Sequence, residues 1–228
     1  ADKIIFISKY SRDVIKNLIP KIENKSAIIP LGISDKFLNL NIKYKLPKTL
    51  IDEDFYLYVS QFDYYKSQKE LIYTWKSLVD KGFEKKLVLV GSKINNYGEE
   101  SLSLIKKLKL ESFVIYLGFI NYEQLPSLYK SAYSLIFAST CECCPNTLLE
   151  MLSFKKMIFC SNWGPMPEFG EDGVVYFDPH NIDDLRDKIL NAHYNKSLNL
   201  HYSEKALSLS KKYKSQETII KNINYILN

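Results

Sequence analysis

Short apolar runs alternate with longer stretches in which apolar residues recur every three or four positions along most of this chain. A short run bounded by polar residues reads as a strand buried on both faces, and the longer periodic stretches read as helices. Strands are expected at 55–59, 87–90, 113–117, 134–138, 157–160 and 174–177, with helices near 67–81, 99–109, 122–132, 147–154 and 181–193. Six strands joined by helical crossovers make a doubly wound parallel sheet, an α/β architecture whose ligand crevice lies at the C-terminal ends of the strands. Asn121 with Gln124 three residues on has the spacing of a capping box at the head of the 122–132 helix.

Residues 1–50 read as a separate piece. A strand is expected at 4–7, Ser11 is placed to cap a helix bearing Val14, Ile15, Leu18 and Ile19, and a second strand is expected at 27–29. The stretch 39–54 is polar, lysine-rich and weakly periodic, as a linker would be. Near the other end Ile219, Ile220, Ile223, Ile226 and Leu227 fall at helical spacing, one apolar stripe that needs a surface to cover.

Composition narrows the classes. With 228 residues the chain can build one good core but not two full α/β domains. No stretch approaches the ~20 apolar residues that span a bilayer and no signal-peptide pattern is seen, so a cytoplasmic protein is expected. The net charge of +5 is carried almost wholly by scattered lysines, since Arg12 and Arg186 are the only arginines. That distribution weighs against a nucleic-acid binder, while weak attraction to an anionic membrane face stays open. Cys141 and Cys144 form a C-x-x-C, but a zinc site needs a second ligand pair, and His180, His193 and His201 show no ligand spacing. Small buried hydrophobes are the simpler reading of these cysteines. Neither G-x-G-x-x-G nor a Walker-type loop occurs, which demotes dinucleotide oxidoreductases and P-loop NTPases.

The chemistry concentrates in 139–154, which follows an apolar strand and opens a helix. Pro145 suits a first helical turn, and the backbone N–H groups around Asn146, Thr147 and Leu148 would be left to bind an anion such as a diphosphate. Glu142 and Glu150 flank that point. Because helical side chains lean toward the N-terminus, Glu150 can reach back beside the phosphate and accept from a vicinal diol such as a ribose. Thr147-x-x-Glu150 is equally a capping box, in which Glu150 only satisfies a backbone N–H. The local pattern leaves both readings open.

The spacing Glu142-x7-Glu150 resembles the E-x7-E signature of family 4 retaining glycosyltransferases with the GT-B fold, and other landmarks follow in order. Ile29-Pro-Leu-Gly-Ile-Ser34 is similar to a turn of that family, with Leu31 in place of asparagine. Tyr58-Val-Ser-Gln-Phe-Asp-Tyr-Tyr-Lys66, Leu87-Val-Leu-Val-Gly91 and Tyr116-Leu-Gly-Phe-Ile120 resemble its successive strand ends. Ser161-Asn-Trp-Gly-Pro-Met-Pro-Glu168 and Gly173-Val-Val-Tyr-Phe-Asp-Pro179 resemble two further segments.

The resemblance implies a Rossmann-like GT-B C-terminal domain at 51–200. It further implies a remnant of the N-terminal acceptor domain plus linker at 1–50, and a C-terminal helix at 201–228 that packs back toward the N-terminal part. The missing acceptor domain would come from a longer polypeptide or a partner chain. Glu150 would bind the ribose. Glu142 would contact the donor sugar and stabilise positive charge at its anomeric carbon. Lys66 would neutralise the departing diphosphate. Cys144, Asn146 and Thr147 would offer groups to sugar and phosphates, and Phe119 and Ile120 would line the base pocket. The substrate would be a UDP-, GDP- or ADP-sugar, used without a metal or other cofactor, and the acceptor a glycan or a lipid-linked glycan in polysaccharide assembly.

Two departures bear on activity. Gln61 stands where the family has an arginine, so a charge-assisted hydrogen bond of about 1.5–3 kcal/mol is lost. Cys143 and Pro145 replace glycines, which removes backbone freedom and one N–H donor. The alternative is therefore a catalytically impaired nucleotide-sugar-binding module or a half-enzyme. A sugar-nucleotide epimerase of similar architecture lacks the E-x7-E pattern.

Overall fold

A computed structural model of the chain describes residues 1–38, 46–51 and 53–227. The first unit holds β1 (Ile4–Phe6), α1 (Lys9–Leu18) and β2 (Ser26–Ile28), with β1 and β2 paired in parallel, and then one helical turn, α2 (Asp35–Leu38). The main unit begins with β3 (Phe55–Val59), α3 (Gln68–Val79), β4 (Lys86–Val90), α4 (Asn96–Lys107) and β5 (Val114–Gly118). It continues with α5 (Leu125–Ser131), β6 (Ser134–Phe137), α6 (Asn146–Leu152), β7 (Ile158–Ser161), α7 (Met166–Gly170) and β8 (Val175–Phe177). Two helices follow, α8 (Ile182–Tyr194) and α9 (Lys196–Ser210), before α10 (Ser215–Leu227) turns back to the first unit.

The main sheet has six parallel strands in the order β5-β4-β3-β6-β7-β8. The chain winds outward from β3 to β5, then returns to lay β6 on the other side of β3. Such a reversal opens a crevice at the carboxyl ends of the two strands. Alternate residues of β3 feed two cores. Phe55 and Leu57 pack with α5, α6 and α9 on one face, and Tyr56 and Tyr58 pack with α3, α4 and α8 on the other. Burial on both faces is why these strands read as continuous apolar runs. Each expected strand of this sheet appears within one residue of its expected ends. No helix among the described residues is long and apolar enough to cross a membrane.

Several local expectations need correction. Ser8, not Ser11, caps α1; its side chain accepts from the Ser11 N–H. The Asn121–Gln124 capping box does not form. Asn121 starts a single 3-10 turn (Tyr122–Gln124), closed by the Gln124 N–H on the Asn121 carbonyl at 2.8 Å. Helix α5 proper begins after it, with Pro126 in its first turn, where a missing N–H costs nothing. The expected linker falls partly on 39–45 and 52, outside the described residues. Within its remainder Lys48–Leu50 makes a 3-10 turn whose Leu50 is buried in the core, so this part is anchored. Helix α9, unanticipated, spans the expected boundary at residue 200. The side chains it buries include Ser203, Ala206 and Ser210, too small and polar to give an apolar stripe.

Hydrogen bonds at three places are among the ties that hold the first unit to the main one. The Ile33 N–H donates to the Tyr213 carbonyl (2.6 Å). On α10, Tyr225 donates its hydroxyl to the Lys25 carbonyl (2.7 Å), and Lys3 donates to the Tyr225 carbonyl (2.9 Å). Third, both oxygens of Glu168, just inside α7, accept the first amides of α1, from Lys9 (2.7 Å) and Tyr10 (3.0 Å). A carboxylate there satisfies two orphan donors and complements the helix dipole. Even so, Leu18 of α1 and its C-cap Ile19, and Ile219, Ile223 and Leu227 of α10, remain exposed.

Replacing Glu168 with alanine is expected to cost about 1–2 kcal/mol and to speed hydrogen exchange at the Lys9 and Tyr10 amides, while amides of the main sheet keep their protection. Unchanged exchange at those two amides would show that the cap does not hold α1.

Candidate functional site: a crevice at the sheet's carboxyl edge

The crevice is built by the loops leaving β3, β4, β5 and β6. After β3, Asp63 accepts the Tyr64 N–H (2.8 Å) and sets up a 3-10 turn, Tyr64–Lys66. The Tyr58 hydroxyl grips the Lys66 carbonyl at 2.8 Å. The Tyr65 carbonyl in turn receives the Thr140 N–H (2.7 Å) and hydroxyl (3.2 Å) from the loop after β6. The two loops are thereby stitched together, and the Lys66 ammonium forms an ion pair with Glu142. Both side chains are largely covered, at 14% and 16% exposure.

Beside this pair lies a cavity of about 280 Å³. Its walls include Gln61, Gly91, Phe119, Ile120, Tyr122 and Thr147. Gly91 is required by geometry. Its φ is +147°, and a Cβ there would sit 1.9 Å from the Ser60 carbonyl oxygen, so the β4 exit can lie against the β3 loop only with glycine.

Glu150 stands on α6 behind the cavity wall, 9% exposed, and its Oε1 accepts the Tyr122 hydroxyl at 2.8 Å. Burial pushes its carboxyl up to about 7, opposed by that hydrogen bond. The Thr147–Glu150 capping box is not made: Thr147 lies inside α6, the N-cap is Pro145, and no side chain caps the helix. Nothing at this helix end therefore competes with Tyr122 for the carboxylate.

The expected residues thus fall into groups. Lys66 and Glu142 are paired, and Gln61, Phe119, Ile120 and Thr147 share the cavity. Glu150 reaches that cavity through Tyr122. Asn146 is exposed at the head of α6. Cys144 is buried in the core, where burial raises its thiol to about 11, and its carbonyl accepts the Asn146 N–H at 2.9 Å. All four cysteines are unbridged, and among the described residues no cluster of His, Cys, Asp or Glu is arranged to hold a metal. Tyr122 and the Tyr65 carbonyl were not anticipated. Their partners lie 28 and 75 residues away, and a phenol or a main-chain oxygen leaves no short-range signature.

Residues 44–209 match the family described as glycosyl transferases, group 1. The chain is 23% identical over 230 residues to O-antigen chain mannosyltransferase B of Escherichia coli, covering 98% of this chain and 60% of the relative. It is 25% identical over 193 residues to an uncharacterized glycosyltransferase of Methanocaldococcus jannaschii, covering 80% and 48%. The chain therefore spans roughly half to three-fifths of these curated relatives. In three dimensions it resembles a glycosyltransferase from Rickettsia africae, with a TM-score of 0.86, 21% identity, and coverage of 98% of this chain and 62% of that one. It also resembles Anabaena HepE crystallised with UDP and glucose, with a TM-score of 0.83, 19% identity, and coverage of 100% and 63%. Its parallel six-stranded sheet matches those of GT-B glycosyltransferase structures.

The raised Glu150 carboxyl makes stability depend on pH. Between the unfolded value near 4.5 and the folded value of about 7, the folded state holds a proton that the unfolded state releases. The stabilisation is thus complete below about 4.5 and lost as pH rises through 7. Glu150→Gln removes the charge and keeps an acceptor for Tyr122. The variant is expected to match the parent at pH 4 and exceed it by roughly 2 kcal/mol at pH 8 in urea denaturation. Equal stabilities at both pH values would place Glu150 in an ordinary solvated setting.

Proposed function

The chain belongs to the glycosyl transferases group 1 family, and from that premise we propose that this protein transfers a sugar from a nucleotide-diphosphate sugar to a glycan or lipid-linked acceptor, with retention of anomeric configuration, as family 4 enzymes do. The observation that carries the proposal is the convergence, at one sheet edge, of a lysine–glutamate pair and a cavity backed by a buried carboxylate. In this reading the base lies against Phe119 and Ile120, and the ribose hydroxyls reach Glu150. The phosphates meet Lys66 and the start of α6 near Asn146 and Thr147, with Gln61 and the Cys144 backbone alongside.

The Lys66–Glu142 pair suggests how a donor engages. In this ion pair the two charges neutralise each other. A diphosphate carries more negative charge than one carboxylate, so it competes for Lys66 and releases Glu142 toward the sugar. There Glu142 stabilises positive charge developing at the anomeric carbon, while Lys66 stabilises the leaving group. No metal has a part in this scheme, because Lys66 supplies the cation.

The acceptor would bind an N-terminal domain, of which residues 1–38 form the last part, and α10 would pack back on that domain. The exposed apolar residues of α1 and α10 support this placement. Similarity to an O-antigen chain mannosyltransferase of E. coli supports polysaccharide assembly, and in this reading the protein works in the cytoplasm, at most peripheral to the membrane. The exposed, uncharged Gln61 favours a second reading, a nucleotide-sugar-binding module with impaired catalysis or a half-enzyme needing a partner chain.

Calorimetric titration with UDP, GDP and ADP is expected to give saturable binding of one of them. Lys66→Ala and Glu150→Ala should each weaken it by about 10- to 100-fold. Binding indifferent to both substitutions, or no binding of any of the three, would overturn the site assignment. Turnover by the whole protein, with the product's anomeric configuration read by NMR, separates a retaining enzyme from the impaired module.

A further inference from the structure

No sequence pattern assigns Tyr122 a role at the site, yet it touches both the cavity wall and Glu150. Its side chain lines the cavity with Phe119 and Ile120, and its hydroxyl donates to Glu150 Oε1 at 2.8 Å. We propose that Tyr122 is a positioning residue for the nucleotide: its hydroxyl fixes one oxygen of the Glu150 carboxylate so that the other meets a ribose hydroxyl, while its ring closes the cavity wall. The proposal rests on the assignment of Glu150 to the ribose.

Three features support it. The phenol ring is held in place from the first unit, with Phe37 of α2 edge-on at 5.0 Å between ring centroids and the Lys36 ammonium over its face at 6.0 Å. Lys36 is itself paired with Glu123, the residue next to Tyr122. The hydroxyl thus arrives at Glu150 from a fixed direction.

The second feature is the scarcity of other partners. Tyr129 of α5 is close enough to sense the charge of Glu150, but its buried hydroxyl makes no hydrogen bond among the described residues. Helix α6 carries no other titratable side chain. Of the charged groups on the helices packed against it, Glu168 is engaged with α1, Glu204 with Lys155 and Lys205 with Asp172, and Lys196 is exposed at the start of α9. His201 and Tyr202 of α9 pack their rings on each other. Tyr122 is therefore the group that favours the charged form of Glu150, against a burial that opposes it.

The third feature is chemical. A carboxylate can accept from two ribose hydroxyls, whereas its protonated form keeps less acceptor capacity. Holding Glu150 ionised near neutral pH thus serves a diol in particular.

The test compares the parent with Tyr122→Phe and Tyr122→Ala, titrated calorimetrically with UDP, GDP and ADP and with their 2′-deoxy counterparts from pH 6 to 9. In the parent, ribonucleotide binding should strengthen as pH rises through about 7. In Tyr122→Phe it should be about tenfold weaker at pH 7, with its midpoint at higher pH and most of the loss recovered by pH 9. The preference for ribo- over deoxyribonucleotide should shrink in the same variant near pH 7. The probe's own terminal phosphate titrates in this range, and comparing two proteins with one probe cancels it. Tyr122→Ala should add a pH-independent loss from the missing wall. Thermal unfolding of each variant monitors the fold.

If the parent prefers ribonucleotides but Tyr122→Phe keeps the same affinity, preference and midpoint, Tyr122 is only a wall and the proposal fails while the Glu150 assignment stands. Tighter binding by Tyr122→Phe overturns it too, since the hydroxyl would then compete with the ribose for the carboxylate. No ribose preference in the parent, together with indifference to Glu150→Ala, overturns the Glu150 assignment and this proposal with it.

Discussion

The pairing of β3 with β6 sets Tyr56 beside Ser134 and Leu57 beside Leu135, and the loops that leave these two strands emerge next to each other. The Tyr65 carbonyl then receives donors from Thr140, and the loops become one surface. Lys66 and Glu142, 76 residues apart, meet because of that pairing. A slip of one residue in the register would turn the alternating side chains of β3 toward the wrong core. Tyr58, whose hydroxyl holds the Lys66 carbonyl, would then no longer face the turn it fixes. The site's chemistry is in this sense a property of the sheet.

Around that frame the crevice keeps two carboxylates in unlike settings. Glu142 has a cation for a partner, so its charge is balanced where it stands. Among the described residues Glu150 has a neutral hydroxyl as its hydrogen-bond partner, and burial raises its carboxyl to about 7. An unpaired buried carboxylate is a burden on the fold, and such burdens persist where a site needs them. A ligand that brings its own hydroxyl donors would satisfy the second oxygen and relieve part of that cost. The difference between the two glutamates fits different partners, a diphosphate competing at one and a diol at the other.

The architecture was legible because parallel strands buried on both faces leave unbroken apolar runs, as 55–59 and 87–90 do. The position of Glu142 and Glu150 was legible because strand, loop and helix there are local and the spacing is fixed. What failed was the reading of short polar signals. Ser8 and Ser11 are both capping residues by type, and only the start of the helix decides between them. Asn121 and Gln124 have capping-box spacing, but the proline following Leu125 starts the helix later and leaves them in a separate turn. Thr147 and Glu150 offered the same local motif, and a phenol 28 residues away took the carboxylate instead. Tertiary contacts of this kind are invisible to spacing, and they decide which of two local readings survives.

The first unit poses a different physical question. Two paired strands of three residues each fall short of what a sheet needs to stand alone. Its ties to the main unit include the cap from Glu168, the main-chain bond at Ile33, the hydroxyl and carbonyl of Tyr225, and the α2 residues Phe37 and Lys36. Helix α1 buries none of its residues fully, and neither does α10, although both carry apolar stripes. Apolar surface of that extent is normally covered, at about 25 cal/mol per Å² gained on burial. An N-terminal domain seated on these helices, as proposed for the acceptor side, would extend the two strands into a full sheet and cover both stripes. The same contact would bear on the crevice, because α2 carries the Phe37 and Lys36 that hold Tyr122. Helix α2 is therefore also a backing of the cavity wall, so a shift of it against the main unit would be felt at Glu150.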